Sequence, residues 1–518
     1  MSALLSTPQH VIDDPRHQRT ILLTVCIALM AVIASVSGLN VAQPELARAF
    51  DASQTEVLWF INIYTISLSA LLLPLGALGD RLGRKPMLIA GLIVFGIANV
   101  AAGLATTTAM MLLARALAGV GAAIIMPITL AVITSTFPEE RRAHAIGIWT
   151  GVAGGGGILG MYLSAILVDL ATWRWLFAMP IALVSIALWM TLRSVPNSRE
   201  TPSGRFDAIG SLASLIAVAS ISFTIHEGPE RGWTTPLVIA GLILSLAATL
   251  GFIVWERHHP SPILDVRLFR DRNLSSGSLS LLIVFGVQAG IFVVVFPFFQ
   301  SVLGWSGFRA TFAMMPMALL MMAASGLAPR LAGHLDNRRT MAIGILLGTG
   351  GLVLLATLAS RDGGYPSVLP GMLMMGLGMG LTMTPATQVI TSALPRDRQG
   401  VASALNDVTR ELGTALGVAL LGAILSAGYR RTISDHLANI PPDTAASARE
   451  GIATALDTGS TLGPDGDALI RAAQDAFVAG WHQAMWVGTI AMLALAAFVV
   501  LRGPHDDTPA NAPGAGGE

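Results

Sequence analysis

Few ionisable side chains interrupt the long apolar stretches of this chain, and those few are where chemistry could occur. One group is Asn406-Asp407-Val408-Thr409-Arg410-Glu411. Asp407 and Glu411 are four residues apart and share a helix face, with Arg410 one turn from Asp407. A helix that starts near Val401 carries Glu411 roughly 15 Å along its axis, deep inside a bilayer. Two readings stand for this group: an ion-paired cluster that holds helices together, or a proton-exchange site. A carboxyl group removed from water favours its protonated form and a neighbouring guanidinium opposes that, so a change in water access makes such a group take up or release a proton. Glu411 is the first candidate for that role and Asp407 the second.

Arg115, in Arg115-Ala-Leu-Ala-Gly119-Val-Gly121, is a further charge inside an apolar stretch. Such an arginine faces a cavity or a partner, or it snorkels to the nearer surface. A third group lies between two apolar stretches, Gly76-Ala-Leu-Gly79-Asp80-Arg81-Leu-Gly83-Arg84-Lys85-Pro86. Gly76 and Gly79 let another helix approach closely. Gly83 offers the left-handed conformation that ends a helix, and Pro86 suits the first turn of the next. Asp80, Arg81, Arg84 and Lys85 set one carboxylate and three cations at a water boundary.

The elements that must position these groups are membrane helices. Of 518 residues, 53% are hydrophobic and 12% charged, and mean hydropathy is +0.67. A soluble chain carries about twice that share of charge. Zero net charge gives no bulk attraction to nucleic acid. The single cysteine, Cys26, excludes an intramolecular disulfide and a cysteine zinc cluster. Neither G-x-x-x-x-G-K-[ST] nor H-E-x-x-H is present, so neither a nucleotide nor a zinc site is indicated, and no cofactor or metal is expected. His226-Glu227 is an isolated pair, and no catalytic constellation argues for an enzyme.

Windows of about 20 apolar residues mark bilayer spans, and fourteen are found, from Thr20–Val41 to Phe477–Leu501. Residues 1–19 are a polar tail without a signal-peptide cleavage site. Residues 20–192 hold six spans. Residues 193–276 form a linker with two extra spans, Ala208–Ile225 and Pro236–Trp255. Residues 277–501 hold six more, with a long polar loop at 430–475, and 502–518 are a second tail. Basic residues concentrate in alternate loops (Arg81, Arg84 and Lys85; Arg141 and Arg142; Arg193, Arg199 and Arg205; Arg257, Arg267, Arg270 and Arg272; Arg330, Arg338 and Arg339; Arg396 and Arg398). That bias puts both termini in the cytoplasm. The loop Gly79–Pro86 also aligns with Gly333–Thr340, matching Gly83 to Asn337 and Asp80 to His334. Repeated halves with a site at their interface are a transporter architecture.

The pattern G-x-L-G-D-R-x-G-R-K resembles the signature loop of the major facilitator superfamily. Trp173-Arg174-Trp175, Leu264-Asp265-Val266-Arg267-Leu268-Phe269-Arg270 and Arg410-Glu411-Leu412-Gly413 resemble segments of its fourteen-helix drug:H+ antiporter branch. The resemblance implies an all-α integral membrane protein with the major facilitator fold, two six-helix halves plus two extra central helices. It implies a gate built on Gly76, Asp80, Arg81, Gly83, Arg84 and Lys85. The spacing R-x-x-x-G at Arg115 resembles a fourth-helix motif tied to proton coupling, so Arg115 joins Asp407, Arg410 and Glu411 as a coupling candidate. The fifth span, with Gly151, Gly155, Gly156 and Gly160, resembles the antiporter motif. It departs from it at Gly160-Met161, where the family has Gly-Pro, and at Ser164-Ala165, so the expected kink is not carried over. Plain close packing explains these glycines equally well.

Exporters of quaternary-ammonium compounds in this branch typically carry an acid at the positions occupied here by Ser35 and Asn62. Both substitutions remove negative charge from the expected cavity, which favours neutral, anionic or zwitterionic lipophilic substrates. Ser35, Asn62, Tyr64, Gln288, Gln300 and Gln388 are the candidate cavity residues, a lone glutamine serving equally as a helix–helix hydrogen bond. Phe292, Phe296, Phe298, Phe299 and Met314, Met315, Met317, Met321 and Met322 line an adaptable pocket or face lipid and core. The expected function is proton-coupled efflux of lipophilic drugs or antibiotics across the plasma membrane by alternating access. The alternative is a dedicated exporter of an endogenous metabolite or lipid, not necessarily proton-coupled. Expected partners are a small lipophilic substrate, protons and membrane lipid, with no nucleic acid, and the protein is expected to act as a monomer.

Overall fold

Hydrocarbon supplies no water to pair with backbone N–H and C=O groups, so a spanning chain satisfies them within each segment as a helix. A computed structural model describes residues 12–170, 172–198, 205–437, 440–461 and 466–504, and among these all regular structure is helical. The sequence readings on 1–11, on 199–204 (Arg199, Pro202 and Gly204 among them), on 438–439 and 462–465 of the long loop, and on 505–518 lie outside the described residues.

The first group comprises α1 (Pro15–Val41), a short α2 (Gln43–Phe50), α3 (Gln54–Leu82), α4 (Arg84–Gly103), α5 (Thr108–Thr136), α6 (Glu139–Leu170) and α7 (Trp175–Ser194). Two linker helices follow, α8 (Ala208–Arg231) and α9 (Pro236–His258). The last group comprises α10 (Arg272–Pro297), α11 (Gly307–Leu335), α12 (Asn337–Leu358), α13 (Gly364–Ala393), α14 (Gln399–Ser434), two short helices α15 (Pro442–Glu450) and α16 (Ile452–Thr461), and α17 (Gly466–Arg502). Among the described residues fourteen of these helices are long and apolar enough to cross a membrane, the number counted from hydropathy. The sequence reading did not place α2, and α14 and α17 run beyond their apolar windows, into the polar segment between them.

Polar side chains close the exposed helix starts. Asp14 accepts from the Arg16 N–H, Ser53 and Glu56 form a reciprocal capping box, and Asp271 accepts from the Asn273 and Leu274 N–H groups. Each such cap is worth about 1 kcal/mol. Burial ranks the spans: 83% of the apolar window of α5 is inside the protein, against 11% for α9. α5 is therefore a central strut, and α9 is the most lipid-exposed span. α8 ties the linker pair to the rest. Its Ser222 Oγ lies 3.1 Å from Ser69 Oγ on α3, and Ile221 and Ile225 pack on Ala415 and Ala419 of α14.

One expectation about the turns is corrected. The residue of the second loop copy with positive φ is Asp336 (φ 86°), not Asn337, which already begins α12. Asp336 corresponds to Gly83 (φ 104°), since each ends one helix and precedes the next. The carboxylate explains the choice: it caps α12 by accepting from the Arg339 N–H at 2.7 Å, which offsets the strain of a left-handed residue with a side chain.

A candidate transport cavity and its gate

The candidate gate is assembled from two distant parts of the chain. α3 ends at Leu82, and its last turn presents Asp80, which is 2% exposed. The carboxylate accepts from the Gly400 N–H at 2.8 Å and the Val401 N–H at 3.2 Å. These are donors of the first turn of α14, left without intrahelical partners, and the positive end of the helix dipole adds to the attraction. Close approach requires small residues on both sides: a Cβ on Gly76 would sit 2.6 Å from the Gly400 carbonyl oxygen. Arg84, itself buried, stands 3.5 Å from Asp80 and donates to Ser198. Lys85 donates to the Leu192 carbonyl at 2.9 Å, and Arg81 lies over the Phe206 ring. An exposed ion pair, Arg396–Glu139 at 2.6 Å, crosses between the groups on the same face. Exposed pairs contribute about 0–1 kcal/mol, so Asp80 carries the contact.

Beyond the gate lies a cavity of about 230 Å³ between α1, α3, α5, α6, α10 and α14. Its polar groups are Ser37, Thr65, Gln288, Arg410, Glu411 and Thr414. Arg410 and Glu411 thus face the cavity, and Asp407 does not. Asp407 is fully buried, accepting on one oxygen from Asn406 at 3.1 Å and from Arg410 at 3.4 Å, while its other oxygen lacks a partner. The Arg410 guanidinium lies 4.5 Å from the ring centroid of Phe285 and 5.6 Å from that of Trp149. It therefore touches helices of both groups, and the Trp149 ring is fixed in turn by its N–H bond to Thr129. The two cation–π contacts are worth about 0.5–2 kcal/mol each. A larger void of about 710 Å³ lies between α1, α6, α7 and α11, among Met30, Leu163, Phe312 and Met315. No charged side chain lines it, so the smaller cavity is the chemical one.

Arg115 occupies a separate pocket. It is fully buried and donates from Nε to the Phe60 carbonyl at 3.1 Å and from Nη1 to Ser35 Oγ at 3.0 Å. Its guanidinium lies 4.3 Å from the Tyr64 ring centroid. Ser35 in turn donates to Asn99 Oδ1 at 3.2 Å, and Tyr64 donates to the Val32 carbonyl. Ser35 and Tyr64 are thus committed to Arg115 and to α1, behind the wall formed by Val32, Ile33 and Val36. Gln288 lines the cavity; Asn62 and Gln388 are half-buried away from it, and Gln300 is exposed. Of the aromatic and methionine run, Phe292 lines the cavity, Phe298 and Phe299 pack with Trp481 and Trp305, and Met315 lines the larger void.

The glycines of α6 divide between two neighbours. Gly151 and Gly155 pass Met322 on α11, while Gly156 and Gly160 pass Met30 and Ala34 on α1. Sequence reasoning missed Asn99, Trp149 and the Gly400 N–H. The signals were a lone amide in an apolar span, an indole beside the glycine run and a glycine at a helix start.

The Major Facilitator Superfamily profile matches residues 25–418. The multidrug resistance protein Stp of Mycobacterium tuberculosis is 30% identical over 429 residues, covering 83% of this chain and 80% of Stp. The methyl viologen resistance protein SmvA of Salmonella typhimurium is 30% identical over 492 residues, covering 93% and 96%. The fold resembles that of the proton:xylose symporter XylE, with TM-score 0.61, 15% identity and coverage of 94% and 96%.

Proposed function

This chain belongs to the major facilitator superfamily, and from that membership we propose that it is a proton-coupled exporter of lipophilic drugs or antibiotics. As a member it is a multi-pass membrane transporter of small molecules, not an enzyme. The export direction and the drug class are supported by the names of its relatives, which include a puromycin resistance protein of Streptomyces alboniger and a drug efflux pump, JefA, of Mycobacterium tuberculosis. The protein works as a monomer in the plasma membrane with both termini cytoplasmic, an orientation supported by the arginine-rich alternate loops. Its two six-helix halves rock about the cavity, and the Asp80 cap on α14 closes the cytoplasmic side.

One observation carries the coupling: Glu411 and Arg410 line the same cavity that a substrate would occupy. A proton on Glu411 removes negative charge beside the guanidinium, so substrate and proton compete for one electrostatic environment. Arg115 supports the frame of the first half and holds a positive charge beside Ser35. Among the described residues Glu411 is the one carboxylate that lines the cavity and Arg410 offsets its charge, which favours neutral, anionic or zwitterionic substrates over dications. The test is drug-driven proton movement in proteoliposomes, comparing the intact protein with Glu411→Gln over cationic and neutral compounds. Proton release by neutral compounds, abolished in the variant, supports the reading. Solute movement with no proton flux overturns the coupling and favours a dedicated carrier.

A further inference from the structure

The linker helices enclose a groove that the transport cycle described above leaves unused. It has a volume of about 520 Å³ and runs between α3, α8, α9 and α14, with Leu73, Val218, Phe252, Val408 and Leu412 among its walls. From the end of the bundle that carries Asp80, its lining runs along Ser214–Ile221 of α8 and Thr249–Arg257 of α9, roughly 12 Å of helix. That is most of one leaflet of hydrocarbon, about 15 Å. Its mouth at the Asp80 end is built differently. Arg257 from the end of α9 and Arg267 and Arg270 from the turn at Val266–Arg270 all line it.

The acids of this segment are turned onto the backbone. Asp265 accepts from the Arg267 N–H, Asp271 from the Asn273 and Leu274 N–H groups, and Glu256 from the Leu264 N–H. Among the described residues none of the three arginines forms an ion pair with a carboxylate. Three cations therefore converge at one end of an apolar slot that lies within one leaflet. We propose that this groove is a binding site for one anionic diacyl phospholipid of the cytoplasmic leaflet, its chains between α3, α8, α9 and α14 and its phosphate on Arg257, Arg267 and Arg270. Charge complementarity selects the occupant, because a zwitterionic lipid brings a cation to the same mouth. α14 separates this site from the transport cavity, with Leu405, Val408 and Leu412 on the groove face and Arg410, Glu411 and Thr414 on the other. The lipid would rest on α3 and α14, the two helices joined by Asp80.

Native mass spectrometry of the full-length protein in detergent tests this, with phosphatidylglycerol and phosphatidylethanolamine of identical chains. The intact protein should keep one phosphatidylglycerol at collision energies that strip phosphatidylethanolamine. The triple variant Arg257→Gln, Arg267→Gln, Arg270→Gln should keep at least about tenfold less. Thr249→Trp, which fills the groove from the lipid-exposed α9 and leaves every arginine in place, should do the same and carries the test if the triple variant misfolds. Arg330→Gln, an exposed arginine outside the groove, should change nothing. Equal retention of the two lipids, or unchanged retention in Thr249→Trp, overturns the proposal. So does full competition by chain-free glycerophosphoglycerol, which would make the site one for a soluble anion.

Discussion

Asp80 caps a helix from the far part of the chain, its carboxylate accepting at 2.8 Å the N–H of Gly400, 320 residues further along. The bond joins the end of α3 to the start of α14, so in the alternating-access cycle proposed above, opening of this face would uncap α14.

Asp80→Asn keeps an acceptor but removes the charge that faces the helix dipole. A weakened cap costs about 1 kcal/mol, roughly a fivefold shift in the balance between closed and open forms. Cys26 is the only native cysteine, so a Cys26→Ala background with Ala404→Cys, buried against Gly76, reports the opening. The Asp80→Asn protein should be labelled several-fold faster at that position and should lose most of its transport.

Glu411 and Asp407 should separate cleanly. Asp407 is buried and partners Arg410, so Asp407→Asn leaves a buried guanidinium short of its counter-charge, at a cost of about 3 kcal/mol. Its main effect is a lowered thermal midpoint in detergent. Glu411 faces the cavity, and Glu411→Gln should leave the midpoint nearly unchanged while abolishing substrate-driven proton release.

Ser35→Asp places a carboxylate beside Arg115, whose Nη1 already donates to Ser35 Oγ at 3.0 Å. The new charge pairs with the guanidinium rather than with a substrate. The expected outcome is a higher thermal midpoint with no gain in transport of dicationic dyes. A gain in dication transport with no change in midpoint would show that position 35 acts on the cavity.

Gly147→Val tests the α6–α11 seam. A Cβ at Gly147 would lie 2.7 Å from the Ser325 carbonyl oxygen, so backbone must move, at a cost of about 1–3 kcal/mol. On α11 itself, a Cβ at Gly326 would meet nothing within 4 Å, and Gly326→Ala should stabilise by up to about 1 kcal/mol through helix propensity. Thermal unfolding of the two variants should shift in opposite directions.

The spans, their number and the turn at Gly83 were legible in the sequence because each rests on local physics. Hydropathy over one bilayer thickness marks a helix, and a glycine between two apolar runs marks its end. The loop around Asp80 could be read down to its individual residues for the same reason. Helical spacing also placed Asp407 and Glu411 on one face, but a face is broad. Packing of α14 between the cavity and its neighbours turned Glu411 and Arg410 toward open space and closed Asp407 in. Ser35 and Arg115, eighty residues apart, were singled out separately, and only the meeting of α1 with α5 made them partners. Likewise the one-residue shift from Asn337 to Asp336 was decided by which side chain could reach the next helix start. The sequence by itself determined what crosses the membrane and which residues carry charge. The tertiary structure alone decided which of those charges meet each other, which meet a helix end and which meet the cavity, because those contacts depend on distances between segments that local spacing does not encode.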